Sequence, residues 1–157
     1  MTRQPETTGD PGQGEPGGEA LAAAVEQVGE RWTLLVVWSL LSGPRRFGDL
    51  LGAMPGVAPN ILSQRLKRLV RDGLVVVEPY SRRPPRHLYR LSAGGEELSG
   101  ALRLLAHWGA QRPGTDQAVR HGACGTAMEA RWYCPTCDLV LDEAALAQES
   151  PEGVIEL

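Results

Sequence analysis

Chain breakers recur so closely through the middle of this sequence that only short elements fit between them. Ser42-Gly43-Pro44, Pro55-Gly56, Gly73 and Pro84-Pro85 cut the stretch from residue 42 to 91 into small pieces. After the first breaker, Arg45-Arg46-Phe47 reads as a short extended segment leading into a helix over about 47–54. Pro59 suits the first position of the next helix, where a missing N–H costs nothing and φ is already helical. That helix is predicted to reach Asp72 and stop at Gly73, with Ile61, Leu62, Leu66, Leu69 and Val70 as its inner stripe. Leu74–Tyr80 and Arg86–Leu91 then read as strands. The intervening 81–85 is too proline-rich to continue a ladder, so it is predicted to form a hairpin tip.

Helices are predicted on both sides of this block. Residues 19–28 are Ala-rich, with Leu21, Val25 and Val28 at helical spacing and Gly29 as the stop. Glu30 or Arg31 to Leu41 is apolar nearly all round, Trp32 and Trp38 included, which marks a helix buried in a core. Gly95–Gln111 is predicted to be one long amphipathic helix with Leu98, Leu102, Leu105 and Trp108 in a stripe. Helix, helix, short strand, helix, helix, hairpin, helix is the order of a winged helix-turn-helix. The fold is therefore expected to be mainly α with a small β-hairpin wing over 19–112. A linker at 113–118, a Cys-containing module at 119–149 and a tail at 150–157 follow. Residues 1–18 hold five Gly and three Pro and no large apolar side chain after Met1. They cannot offset their ordering entropy and are expected to be disordered.

The net charge of -3 hides a strong asymmetry. Residues 31–92 carry +8, between flanks of -5 and -6. A basic block of this kind points to a polyanionic partner, because the local field governs encounter. The fourth helix is narrow enough for a major groove, where amide and guanidinium groups meet base edges. Gln64, Arg65 and Arg68 are its groove candidates, with Asn60 and Ser63 near its start. Arg82, Arg83 and Arg86 are wing candidates, and Arg45 and Arg46 are placed to reach phosphates ahead of the third helix. Double-stranded DNA is the partner this pattern fits.

The cysteines form a second pattern. His121-x2-Cys124 and Cys134-x2-Cys137, nine residues apart, make a four-ligand set of three thiols and one imidazole. That set suits tetrahedral Zn²⁺. Four protein ligands close the coordination shell, so one structural zinc per chain is expected and a catalytic zinc is not. A unit of this size with few apolar groups needs such a staple. Nothing around Cys134-Pro135-Thr136-Cys137 resembles the strand-to-helix junction of a thioredoxin-type redox motif.

Other classes fall away. The longest apolar run, Thr33–Leu41, is about half of the ~20 residues a bilayer requires. No basic segment with an apolar core opens the chain, which points to a cytoplasmic protein. There is no Gly-rich phosphate loop, catalytic carboxylate pair or Ser/His/Asp arrangement, so an enzyme is not expected. His87 and His107 read as surface or packed histidines. No motif indicates a small-molecule effector.

Gly29-Glu30-Arg31-Trp32-Thr33-Leu34-Leu35, Gly43-Pro44-Arg45-Arg46-Phe47-Gly48-Asp49-Leu50, Ile61–Leu69, Asp72-Gly73-Leu74, Pro84-Pro85-Arg86 and Tyr89-Arg90-Leu91-Ser92 occur in that order. With them the chain resembles the HxlR-type, MarR-like family of bacterial transcriptional regulators over about residues 19–110. The resemblance implies a homodimer joined through the first and last helices, on a pseudo-palindromic operator. The tail resembles the zinc-ribbon-like extensions of some relatives. Two positions depart from the family pattern. Glu19 stands where many members carry a sensing Cys, so thiol sensing by that route has no support. Ala58 replaces the Ser that commonly caps the recognition helix. A competing reading is a winged-helix/zinc-ribbon protein-interaction module without DNA binding, against which the cationic wing speaks.

Overall fold

A computed structural model of the chain describes residues 17–82, 85–114, 118–129 and 131–141. The chain divides into two compact units, Met1–Ser99 and Gly100–Leu157. The first holds α1 (Gly18–Val28), α2 (Arg31–Leu40), β1 (Arg45–Arg46), α3 (Phe47–Ala53), α4 (Pro59–Arg71), β2 (Val75–Arg82), β3 (Pro85–Leu91) and α5 (Ala93–Glu97). Most of residues 1–18 and all of 150–157 lie outside the described residues, as does Arg83.

α4 is bounded by backbone chemistry. Ala58 precedes it in extended conformation and offers no side-chain cap, while Pro59 occupies the first turn. At its far end Gly73 adopts φ +74°. The Leu74 N–H then reaches the Leu69 carbonyl (2.9 Å) and the Gly73 N–H reaches Val70 (3.1 Å). This glycine-dependent cap satisfies two terminal carbonyls and turns the chain directly into β2. Leu62, Leu66 and Leu69 are buried, together with Val36, Val37 and Leu40 of α2, Leu50 of α3, and Val75 and Leu91 of the strands. The sheet has the order β1-β3-β2, all antiparallel, with Arg45 opposite Tyr89 and Val77 opposite Tyr89 on the other side.

Three expectations are corrected. The ladder does not end at Tyr80: Ser81 pairs with Arg86 and Arg82 with Pro85. Pro85 is tolerated as the first residue of its strand, and Pro79 lies on the edge strand just before a bulge, where a missing N–H breaks no ladder bond. Second, α2 is not buried all round. Thr33, Val36, Val37 and Leu40 are enclosed, but Leu35 and Trp38 remain 36% and 40% exposed. Its neighbours in the first unit, α3, α4 and β3, cover one face only. Third, Gly95–Gln111 is not one helix. α5 ends at Leu98, whose N–H bonds back to Gly95 (3.3 Å), and α6 (Ser99–Ala110) begins afresh. A one-residue break barely shifts an apolar stripe, so periodicity alone did not reveal it.

Ser92 ties the wing to α4. Its hydroxyl donates to the Gly73 carbonyl (2.6 Å) and accepts from the Gly95 N–H (3.1 Å), while its own N–H reaches Leu74 (3.0 Å). Gly95 is buried so tightly here that a Cβ would overlap the Leu74 carbonyl. Alanine in a helix ordinarily gains about 0.5–1 kcal/mol over glycine. Overpacking against fixed backbone costs more, so Gly95→Ala is expected to destabilise the first unit by about 1–3 kcal/mol, read from the urea midpoint. A stabilised variant would show that α5 moves freely away from β2.

The second unit carries nearly all of α6, an isolated bridge between Arg120 and Ala127, and a hairpin of β4 (Trp132–Cys134) and β5 (Leu139–Leu141). Asp138 turns the hairpin at φ 54°.

Candidate nucleic-acid interface

Because α4 repeats every 3.6 residues, the side opposite Leu62, Leu66 and Leu69 is built from Asn60, Gln64, Lys67 and Arg71. All four are exposed. Asn60, Gln64 and Lys67 make no side-chain hydrogen bond or ion pair among the described residues. Arg71 lies 3.2 Å from Asp72 with most of its side chain exposed. This face is neutral amide at its start and cationic at its end. Ser63 is half-buried, in a shallow cleft of about 230 Å³ with Lys67, Val70, Val77 and Tyr89.

Arg65 and Arg68 point elsewhere. Arg65 is ion-paired with Glu30, the residue that opens α2. Arg68 reaches the other carboxylate oxygen of Glu30 (3.3 Å), donates to the Glu26 carbonyl of α1 (2.8 Å) and lies 3.5 Å from Asp72. Arg65 flanks the apolar stripe, and Arg68 lies about as far round the helix as Lys67 but on the side that meets Glu26 and Glu30. Two of the sequence-predicted groove candidates are thus half-buried and held against α1 and α2, while Lys67 and Arg71, not among those candidates, occupy the outward face. Spacing of four, seven and eleven residues from Asn60 was the signal available for them.

The wing and β1 converge on a second cationic site. A bulge between Pro79 and Ser81 sets Tyr80 out of register. The guanidinium of Arg46 stacks over the Tyr80 ring at 4.7 Å. Arg46, Tyr80, Arg86, His87 and Asp49 line an open pocket of about 370 Å³. Asp49 is engaged in capping α3, accepting from the Arg46 N–H at 3.1 Å. Tyr80 carried no sequence signal, because a bulge reverses the facing of every residue after it. Arg45 is turned away and donates from Nε to the Ser39 carbonyl (2.8 Å). Arg82 ends β2. Arg90 on β3 is paired with Glu78 and adds no uncompensated charge.

In the second unit the four predicted metal ligands come together in pairs. His121 Nδ1 lies 3.2 Å from Cys124 Sγ. Hydrogen bonds from Thr126, side chain first and backbone second, and then from His121 bring the Cys124 thiol down to about 7. Backbone and side-chain hydrogen bonding from Cys137 lowers Cys134, and the same neighbour contact raises Cys137. Among the described residues no three His, Cys, Asp or Glu side chains gather at metal-binding distance. Each turn nevertheless presents two donors of the kind zinc takes, and the 3.2 Å between His121 Nδ1 and Cys124 Sγ is a few tenths of an ångström short of the ~3.5 Å edge of a tetrahedron with ~2.0 and ~2.3 Å bonds.

The family model described as HxlR-like helix-turn-helix matches residues 27–116. An HTH-type transcriptional regulator of Mycobacterium tuberculosis is 42% identical over 124 residues, spanning 76% of this chain and 78% of that protein. The Bacillus subtilis HTH-type regulator YtcD is 33% identical over 91 residues, 58% of this chain and 72% of its own. A crystal structure of a MarR-family transcriptional regulator from Enterococcus faecalis superposes with a TM-score of 0.54 at 31% identity, covering 68% of this chain and 91% of that one. No helix among the described residues is long and apolar enough to cross a membrane.

Proposed function

Because the chain belongs to the HxlR-like helix-turn-helix family, we propose that it is a DNA-binding transcriptional regulator, and not an enzyme, whose α4 enters the major groove. The observation that carries this reading is the outward face of α4, where Asn60, Gln64, Lys67 and Arg71 stand opposite three buried leucines. Amides suit base edges and cations suit phosphates, so one helix face supplies both discrimination and grip. The Arg46–Tyr80–Arg86 pocket is the natural seat for flanking backbone phosphates. The protein works where DNA is, in the cytoplasm.

The finer reading is a homodimer on a pseudo-palindromic operator. Supporting it, α1 exposes Leu21 and Val25, and α6 exposes Leu104, Leu105 and Trp108. Apolar side chains of that size favour burial against a partner. One Zn²⁺ per chain would be held by His121, Cys124, Cys134 and Cys137, supplying cross-linking and no chemistry. Regulation is then steric, through occupancy of the operator.

Selection of duplexes from a random library tests the regulator reading. The expected product is an inverted repeat whose half-sites lie about one helical turn, ~34–36 Å, apart. A single unrepeated motif removes the symmetric dimer, and failure to enrich any sequence removes specific DNA binding.

A further inference from the structure

Glu30 receives two guanidinium groups on one carboxylate. Arg65 takes one oxygen and Arg68 the other, and Arg68 is held further by the Glu26 carbonyl. Both arginines come from the helix that would lie in the groove, yet their side chains are only 23% and 31% exposed. The Nε of each is buried without a hydrogen-bond partner; Arg68 also has the Asp72 carboxylate 3.5 Å from its Nε, and Glu30 is the carboxylate that both guanidinium groups share. A carboxylate and a phosphate present arginine with the same planar pair of acceptors. Glu30 therefore offers these arginines the kind of contact that a backbone phosphate offers.

We infer that Glu30 is a specificity-determining positioning residue. It withholds Arg65 and Arg68 from DNA phosphates, so that α4 engages DNA mainly through the outward face that reads bases. This rests on the proposal that α4 binds DNA. The physical reason is that every arginine added to the phosphate contacts strengthens binding to all sequences alike, while only base contacts separate operator from random DNA. Masking two cations lowers the common affinity and leaves the discriminating contacts in place.

The test uses the full chain, a selected operator and a random-sequence duplex, titrated across salt concentrations. Glu30→Gln keeps the shape of the side chain and removes its charge. It is expected to bind the random duplex more tightly, with a salt slope steeper by up to ~0.9 per arginine released, or ~1.8 for both. The operator-to-random ratio should fall. Glu30→Asp, which restores a carboxylate, should return slope and ratio toward wild type. Glu26→Gln makes the same charge change one turn away, on a side chain with no ion pair to these arginines, and should leave the slope near wild type. If Glu26→Gln matches Glu30→Gln, the effect is a general field and the inference fails. An unchanged slope in Glu30→Gln also overturns it.

A measurement on wild type serves if Glu30→Gln does not fold. The Nε–H resonances of Arg65 and Arg68 should stay protected and unshifted when random duplex is added, whereas large shifts at both would place them on phosphates and end the inference. A wild-type chain that binds no duplex at any salt overturns the regulator reading and this inference with it.

Discussion

Alanine at Asn60, Gln64, Lys67 and Arg71 together is expected to remove operator recognition while leaving the fold intact. The fold should survive because alanine is the strongest helix former and the buried stripe of α4 is untouched. Binding should not survive, for two separable reasons. Each amide lost from a base edge costs about 1–3 kcal/mol of discrimination. Each cation lost from a phosphate flattens the salt dependence by ~0.9, so ~1.8 for the pair. Together these bring operator affinity down by at least about 10³-fold, toward the level at which the protein holds any duplex. Random duplex should lose only the electrostatic part, so the operator-to-random ratio approaches one. Circular dichroism fixes the helix content, and titration at several salt concentrations fixes the rest. Operator affinity within about tenfold of wild type would move the reading surface off α4, leaving the Arg46–Arg86 pocket as the remaining cationic candidate. Single variants divide the face: Gln64→Ala should change the ratio, and Lys67→Ala the slope.

Much of this interface was legible in the sequence, for a reason specific to α4. Its apolar residues are confined to one stripe, so the opposite face follows from helical periodicity. The breakers Pro59 and Gly73 bound the element within two residues of its ends. Pairing choices were not legible. Nothing local indicates that Arg65 and Arg68 turn to Glu30, 35 and 38 residues earlier, because that depends on how α2 packs on α4. The net charge of the basic block is a sum, whereas the structure divides it. Arg90 pairs with Glu78, Arg45 supports the backbone of α2, and Lys67 with Arg71 projects outward. The break at Leu98 and the bulge at Tyr80 each displace the chain by a single residue, too small a change for an averaging pattern to register. Trp38 was legible as helical but not as exposed, since an apolar residue on a helix does not say which side has neighbours.

Removing the proposed zinc is expected to cost the second unit its hairpin outright. Trp132, Tyr133, Leu139 and Val140 are each 56–57% exposed, so the two strands bury too little apolar surface to hold themselves. An isolated two-stranded hairpin is marginal in water. Zinc binding to a site of three thiolates and an imidazole is worth about 10–16 kcal/mol near pH 7, which exceeds every other contribution this unit can make. Protein purified without added metal should therefore carry about one zinc per chain, and a strong chelator should collapse the dispersed backbone resonances of residues 118–141. Cys134→Ser should do the same. Both treatments should leave the urea midpoint of the first unit near its original value, because the ligands all belong to the second unit. The proton balance gives an independent check. Zinc takes thiolates, Cys124 is already lowered to about 7 and Cys137 is raised above the ordinary thiol value. The metal-free unit is expected to lose the hydrogen bonds that cause these shifts, so rebinding near neutral pH should release close to one proton from each of the three thiols, which calorimetry in buffers of different ionisation enthalpy resolves. A metal-free preparation in which the 132–141 pairing persists would show that the two Cys turns are held by protein contacts alone.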